Sequence, residues 1–217
     1  MSCFSLPVLS NVSVTSQEVP NEVLQVGNSL RTLDLTNNKL VEIPQDVGRL
    51  VNMQRLVLAA NLIEIIPAIF GHLRNLKILT LDRNRISMLP EELGSLSNLQ
   101  QLSISQNSLL CLPKSVGDLR NMSILNVFDN KLKELPESIG GCNSLEELRA
   151  NGNSIEDMPS SICNLVCLKS LSLNGNKIRQ MAGFNEFEAR RRKKFDKQID
   201  SRVMLGSTVL DEGVDFH

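Results

Sequence analysis

The chain has no tryptophan and no tyrosine, and only seven phenylalanines among 217 residues. Leucine and isoleucine must therefore pack its interior. Histidine is almost missing too: His72 and the last residue, His217, are the two present. No Ser/His/Asp set, metal cluster or phosphate-binding glycine loop can be assembled from what remains. The reading is a chain without catalytic residues, without a metal and without a cofactor. Nor is there an excess of one charge, because 23 Lys and Arg face 24 Asp and Glu for a net of −1. Global charge therefore recruits neither nucleic acid nor a membrane surface. No apolar run approaches the length of a transmembrane helix. Residues 1–20 lack the basic start of a signal peptide, and Pro7 interrupts their only apolar run, Phe4 to Leu9.

What is present is a period. Asn38, Asn61, Asn84, Asn107, Asn130, Asn153 and Asn176 stand 23 residues apart without a slip. Each anchors L-x-x-L-x-L-x-x-N-x-L-x-x-L-P, followed by x-x-L-G-x-L-x-x. The fourth position is always leucine: Leu33, Leu56, Leu79, Leu102, Leu125, Leu148 and Leu171. Proline recurs as Pro44, Pro67, Pro90, Pro113, Pro136 and Pro159, and glycine as Gly48, Gly71, Gly94, Gly117 and Gly140. A fixed period in this range means stacked units. Leu-x-Leu alternation is a strand period. The asparagine ends the strand, and its amide can bond backbone of its own and the neighbouring turn, forming a buried ladder. Proline suits the first position of a short helical turn, and glycine the place where such a turn ends.

This pattern resembles the leucine-rich repeat over residues 30–180. The fold expected is α/β: a horseshoe-shaped solenoid with parallel strands on the concave face and short helical or 3-10 segments on the convex face. Secreted proteins of this type close their ends with paired cysteines. Here Cys142 fills a leucine column and Cys163 the glycine column, so both read as reduced, packed thiols of a cytosolic protein. Cys163 and Cys167 lack the second ligand pair that zinc requires.

Binding is then expected on the outward strand positions. Seven strands about 4.8 Å apart give a face roughly 30 Å long. Most of its residues are small and polar. Phe128 is the exception, an aromatic beside Ile124 and near Arg149, of the kind that anchors interfaces. The candidate contact patch is Phe128, Ile124, Asn126, Arg149 and Arg83, with Arg55, Asp82 and Arg83 setting the charge at the other end.

The ends read differently. Residues 1–17 carry no repeat feature and read as a loose segment. Residues 18–182 form the repeat domain, with a half-repeat cap around Val19-Pro20 and seven repeats. In 183–200, Phe184, Phe187, Arg191, Phe195 and Ile199 share one helical face, so this stretch reads as a cap helix. Its basic block, Arg190, Arg191, Arg192, Lys193, Lys194 and Lys197, reads as that helix's solvated back or as a nuclear-localisation or anion-binding patch. Residues 201–217 read as a disordered acidic tail.

The tail G-F-x-x-F-E-A-R-R-x-K-K-F-D-K-Q-I-D after 23-residue repeats is similar to that of the plant relatives of the leucine-rich repeat-containing protein 57 family. Members of that family usually carry one more repeat before the tail, so the chain reads as a shortened or alternatively spliced form. Plant members carry glycine after the initiator methionine. Ser2 stands there in this chain, which rules out N-myristoylation and argues against membrane anchoring. The resemblance implies a monomeric interaction module, a scaffold or adaptor in intracellular signalling, in the cytoplasm with a nuclear pool open to it. The alternatives are a regulatory or targeting subunit of a phosphatase or ubiquitin ligase, and binding of anionic lipid or nucleic acid through the basic block.

Overall fold

The computed structural model describes residues 8–9, 19, 24–25, 27–179 and 203–204. Seven three-residue strands carry the repeats: β2 (Thr32–Asp34), β3 (Arg55–Val57), β4 (Ile78–Thr80), β5 (Gln101–Ser103), β6 (Ile124–Asn126), β7 (Glu147–Arg149) and β8 (Ser170–Ser172). Each pairs in parallel with the next, and the fourth-position leucines lie opposite one another from Leu33↔Leu56 to Leu148↔Leu171. A two-residue strand closes each edge, β1 (Val8–Leu9) on β2 and β9 (Val203–Met204) on β8. Three residues are too few for a free-standing strand, so the sheet exists through its stacking.

The return path of each repeat is a 3-10 turn. These are η1 (Gly27–Ser29), η2 (Gln45–Arg49), η3 (Ala68–His72), η4 (Glu91–Ser95), η5 (Lys114–Asp118), η6 (Glu137–Gly141) and η7 (Ser160–Asn164). Proline stands one residue earlier than the sequence pattern implied. It is the residue before each of the six turns η2 to η7, with Pro44 extended at φ −67°, ψ 150°, and its carbonyl accepts the first bond of the turn from Val47 N–H at 3.1 Å. A ring that fixes φ and an N–H that is absent are both compatible with that place.

The glycines are also reassigned. Gly48, Gly71, Gly94, Gly117 and Gly140 lie inside the turns, one residue before their ends. Their role is close approach: a Cβ on Gly94 would sit 2.6 Å from the Ser115 carbonyl oxygen, and one on Gly71 2.7 Å from that of Glu92. The column lets the backbone of one turn touch the next.

Between sheet and turns lies one continuous core. Val19 joins it at the start, and Leu33, Leu56, Leu79, Leu102, Leu125, Leu148 and Leu171 run through it. In the turns the inward column is Val47, Phe70, Leu93, Val116, Ile139 and Ile162, where Phe70 is fully buried. Cys142 is buried as well. Its thiol donates to the Val116 carbonyl at 3.2 Å, and burial, aided by the Asp118 charge, pushes its pKa up to about 12. Such a thiol is a packing group, not a nucleophile.

Candidate interaction surface

The asparagines hold the strand exits in place, and they do so in one direction. Asn84 Oδ1 accepts from Ile63 N–H of the preceding repeat at 3.1 Å. Its Nδ2 donates to the Leu58 carbonyl of that repeat at 2.9 Å and to its own Leu81 and Asp82 carbonyls. Asn61, Asn107, Asn130, Asn153 and Asn176 repeat the backward bonds, the amide oxygens accepting from Leu40, Ile86, Leu109, Leu132 and Ile155. Asn38, in the first repeat, donates to Leu35 and Thr36 of its own turn.

The turn geometry requires a left-handed residue just before each ladder asparagine. Five of these are not glycine: Asn37, Ala60, Arg83, Gln106 and Asp129, with φ between 53° and 57°. Gly152 and Gly175 complete the set. No shared side chain marks this column, so it was not legible in advance. Arg83 therefore projects from a turn, not from the strand face. Its Nε donates to Gln106 Oε1 at 2.9 Å, between equivalent turns of neighbouring repeats.

On the strand face itself, hydrogen bonds link three repeats. Ser103 Oγ donates to Asp82 Oδ1 at 2.7 Å, and Asn126 Nδ2 donates to Ser103 Oγ at 3.0 Å. Asn126 Oδ1 then accepts from Phe128 N–H at 3.2 Å. Ile124, Asn126 and Phe128 are half-buried on and just after β6. On β7, Glu147 lies opposite Ile124 and Arg149 opposite Asn126. Arg149 is exposed, and its Nε pairs with Glu147 Oε1 at 2.7 Å. The Phe128 ring reaches toward the next turn, with Cε2 3.4 Å from where a Cβ on Gly152 would stand. A glycine there leaves the ring room to lie along the sheet.

The structure thus brings Ile124, Asn126, Phe128 and Arg149 together. It does not bring Arg83 and Arg55 to them. Arg55 lies on β3, three strands from β6, or about 14 Å at ordinary strand spacing. Ser2, Phe184, Phe187 and the basic residues Arg190, Arg191, Arg192, Lys193, Lys194 and Lys197 lie outside the described residues.

Three periodic features went unread in the sequence. Asn75, Asn98 and Asn121 form a second, exposed ladder, donating to the Val51, Arg74 and Ser97 carbonyls at 2.8–2.9 Å. The same 23-residue ruler would have found it. On the convex side, Glu91 accepts from the Lys114 and Ser115 N–H groups that open η5, and Glu137 from the Ser160 and Ser161 N–H groups that open η7. The Ser115 and Ser161 N–H groups are the leading cause that holds these carboxyl groups below their ordinary value. The third feature is apolar. Ile65 and Met88, one repeat apart, are 74% and 63% exposed on the flank between sheet and turns, and Leu110, one position short of the next in-phase residue, is 52% exposed.

Among the described residues, no helix is long and apolar enough to cross a membrane. No group of three or more His, Cys, Asp or Glu among them could hold a metal ion. Parallel strands stacked on 3-10 turns, sewn by an inward asparagine, define a solenoid of leucine-rich repeats. A family profile described as leucine-rich repeat region matches residues 2–105 and 69–152, and a single-repeat profile matches residues 144–165. The chain belongs to the leucine-rich repeat family.

Among individual proteins, it is similar to Plant intracellular Ras-group-related LRR protein 7 of Oryza sativa subsp. japonica, with 86% identity over 44 residues. That stretch is 20% of this chain and 17% of the rice protein. Protein 8 of the same group in rice is 46% identical over 43 residues, which are 20% of this chain and 11% of that protein. The matched stretches therefore span less than a fifth of either relative.

Solved structures share the architecture at greater length. An LRR protein of Leptospira interrogans is 31% identical with a TM-score of 0.61, over 79% of this chain and 50% of that one. The LRR ectodomain of the Arabidopsis thaliana membrane receptor kinase GASSHO1/SCHENGEN3, solved in complex with CASPARIAN STRIP INTEGRITY FACTOR 2, is 30% identical with a TM-score of 0.68. That match covers 74% of this chain and 20% of the ectodomain. Leucine-rich repeats of this kind generally form protein-binding surfaces.

Proposed function

We propose that the chain is a non-catalytic protein-interaction module that holds its partner on the concave sheet, with the contact centred on β6 and β7. The observation that carries this reading is Phe128, the aromatic beside Ile124 on a mostly polar face, bordered by the exposed Arg149. Aromatic and arginine side chains on a framework that is already rigid are what concentrate binding energy. The hydrogen bonds from Asp82 through Ser103 to Asn126 fix the polar floor next to them. Arg55 and Arg83 belong to a separate charged region nearer the start of the stack, which orients the partner by longer-range attraction.

The biological setting follows the rice relatives, whose names place them inside plant cells and in a Ras-related group. A cytoplasmic scaffold or adaptor in signalling is the reading they support, within the plant relatives that the C-terminal motif resembles. A regulatory subunit of a phosphatase or ubiquitin ligase would use the same face and differ in what it captures.

The test is affinity purification with mass spectrometry from plant extract, comparing the native chain with Phe128→Ala/Arg149→Glu. The double variant loses its main partner at least tenfold while circular dichroism and urea midpoint stay within error. An unchanged partner set on an intact fold overturns the concave reading. The captured protein separates scaffold from enzyme subunit.

A further inference from the structure

The side chain two residues before each repeat proline is not held in the core, because it points to solvent. In six successive repeats it holds Glu42, Ile65, Met88, Cys111, Glu134 and Asp157. Every one of them is exposed, yet the three in the middle are apolar or weakly polar and the outer three are acidic. Leu110, next to Cys111 in the chain, is exposed as well. Single exposed apolar residues are ordinary, but a contiguous strip with a charged frame marks a contact surface. Ile65 and Met88 are bridge partners, so the rows of this flank keep strand-like spacing.

We infer that this flank is a second docking surface, distinct from the concave face, and that its occupant is an amphipathic helix of a partner protein lying along the solenoid axis. Spacing selects a helix. Rows about 4.8 Å apart meet one residue per helical turn, at i, i+4 and i+7, since seven residues rise about 10 Å. An extended strand places same-side residues about 6.6 Å apart and falls out of step by the third row. Charge selects the helix's ends. Among the described residues no ion pair engages Glu42, Glu134 or Asp157. From Glu42 to Glu134 is four rows, about 19 Å, the rise of about 13 helical residues. The partner helix therefore carries three apolar residues on one face, with Lys or Arg one turn beyond them at each end.

The experiment displays a library of 20-residue helical peptides, with leucine fixed at i, i+4 and i+7 and every other position random, and selects it on the full chain. The expected result is enrichment of Lys and Arg at both outer turns. Selected peptides bind at least tenfold more weakly to Met88→Asp, and lose their salt dependence on Glu42→Gln/Glu134→Gln. Phe128→Ala leaves them unaffected. All three flank positions are exposed, so the variants keep the native urea midpoint, which is measured alongside. Three results overturn the inference. The library enriches nothing over the Met88→Asp chain, or extended peptides of the same composition bind equally well, or the chain alone sediments as a dimer that Met88→Asp dissolves.

Discussion

The two asparagine ladders use the same residue, the same 23-residue spacing and the same kind of bond, an amide Nδ2 reaching back to a carbonyl of the preceding repeat. They differ in where they stand. Asn61, Asn84, Asn130 and Asn153 are buried, whereas Asn75, Asn98 and Asn121 make their bonds in solvent. The difference teaches that periodicity reports geometry, while burial decides energy. A bond that water can replace is nearly neutral in the balance, but one that leaves buried groups unpaired on removal is not.

The largest effect is expected from the inner ladder. Asn84→Ala strips the acceptor from the buried Ile63 N–H and takes one of two donors from the Leu58 carbonyl, which keeps Asn61 Nδ2, so it should lower unfolding free energy by about 3 kcal/mol, read from urea denaturation. A loss similar to that of an exposed ladder variant would break the comparison. Next comes the glycine column, where burial acts through volume. Gly117→Ala presses a methyl group onto the Ser138 carbonyl oxygen and should cost about 2 kcal/mol by forcing η5 and η6 apart. The outer ladder follows, with Asn98→Ala expected to shift stability by no more than about 0.5 kcal/mol in the same titration.

Two smaller effects sharpen the contrast. Ala60 holds φ 54° just before a ladder asparagine, so Ala60→Gly relieves left-handed strain and should gain about 0.5 kcal/mol net of the entropy glycine adds. The convex clasps set a pH dependence. Glu91 and Glu137 are held below their ordinary value near 4.5, so their contribution is fully present above that pH and fades below it, as pH falls through their lowered values. Both carboxyl groups are solvated, which keeps the effect small. Glu91→Gln/Glu137→Gln should flatten the stability profile between neutral pH and the acid range, measured by thermal melts across pH.

Much of the fold was legible in the sequence because the inner asparagine is constrained from two sides. It must end a strand and satisfy a buried backbone, so only one side chain serves and the column reads cleanly. The left-handed column is governed by backbone alone. Asn37, Ala60, Arg83, Gln106 and Asp129 share nothing as side chains, so nothing announced it. Glycine misled for a related reason. Positive φ and close approach both select it, and the spacing alone could not separate them until Gly94 was seen against Ser115. At the concave site, the strand period placed Ile124, Asn126, Phe128 and Arg149 on one face. Arg83 went astray because sequence adjacency to a strand does not say where the chain turns. The flank strip stayed unread because Glu42, Ile65, Met88, Cys111, Glu134 and Asp157 share no side-chain type from repeat to repeat.

The backward reach of the inner ladder has a consequence during synthesis. Each strand exit is completed by an amide that lies 21 residues further along the chain, as Ile63 is by Asn84. A ribosome delivers that amide one repeat late, about 1–4 s at ordinary elongation rates. The nascent solenoid therefore always carries one unfinished rung at its growing end, and closes it only when the next repeat emerges.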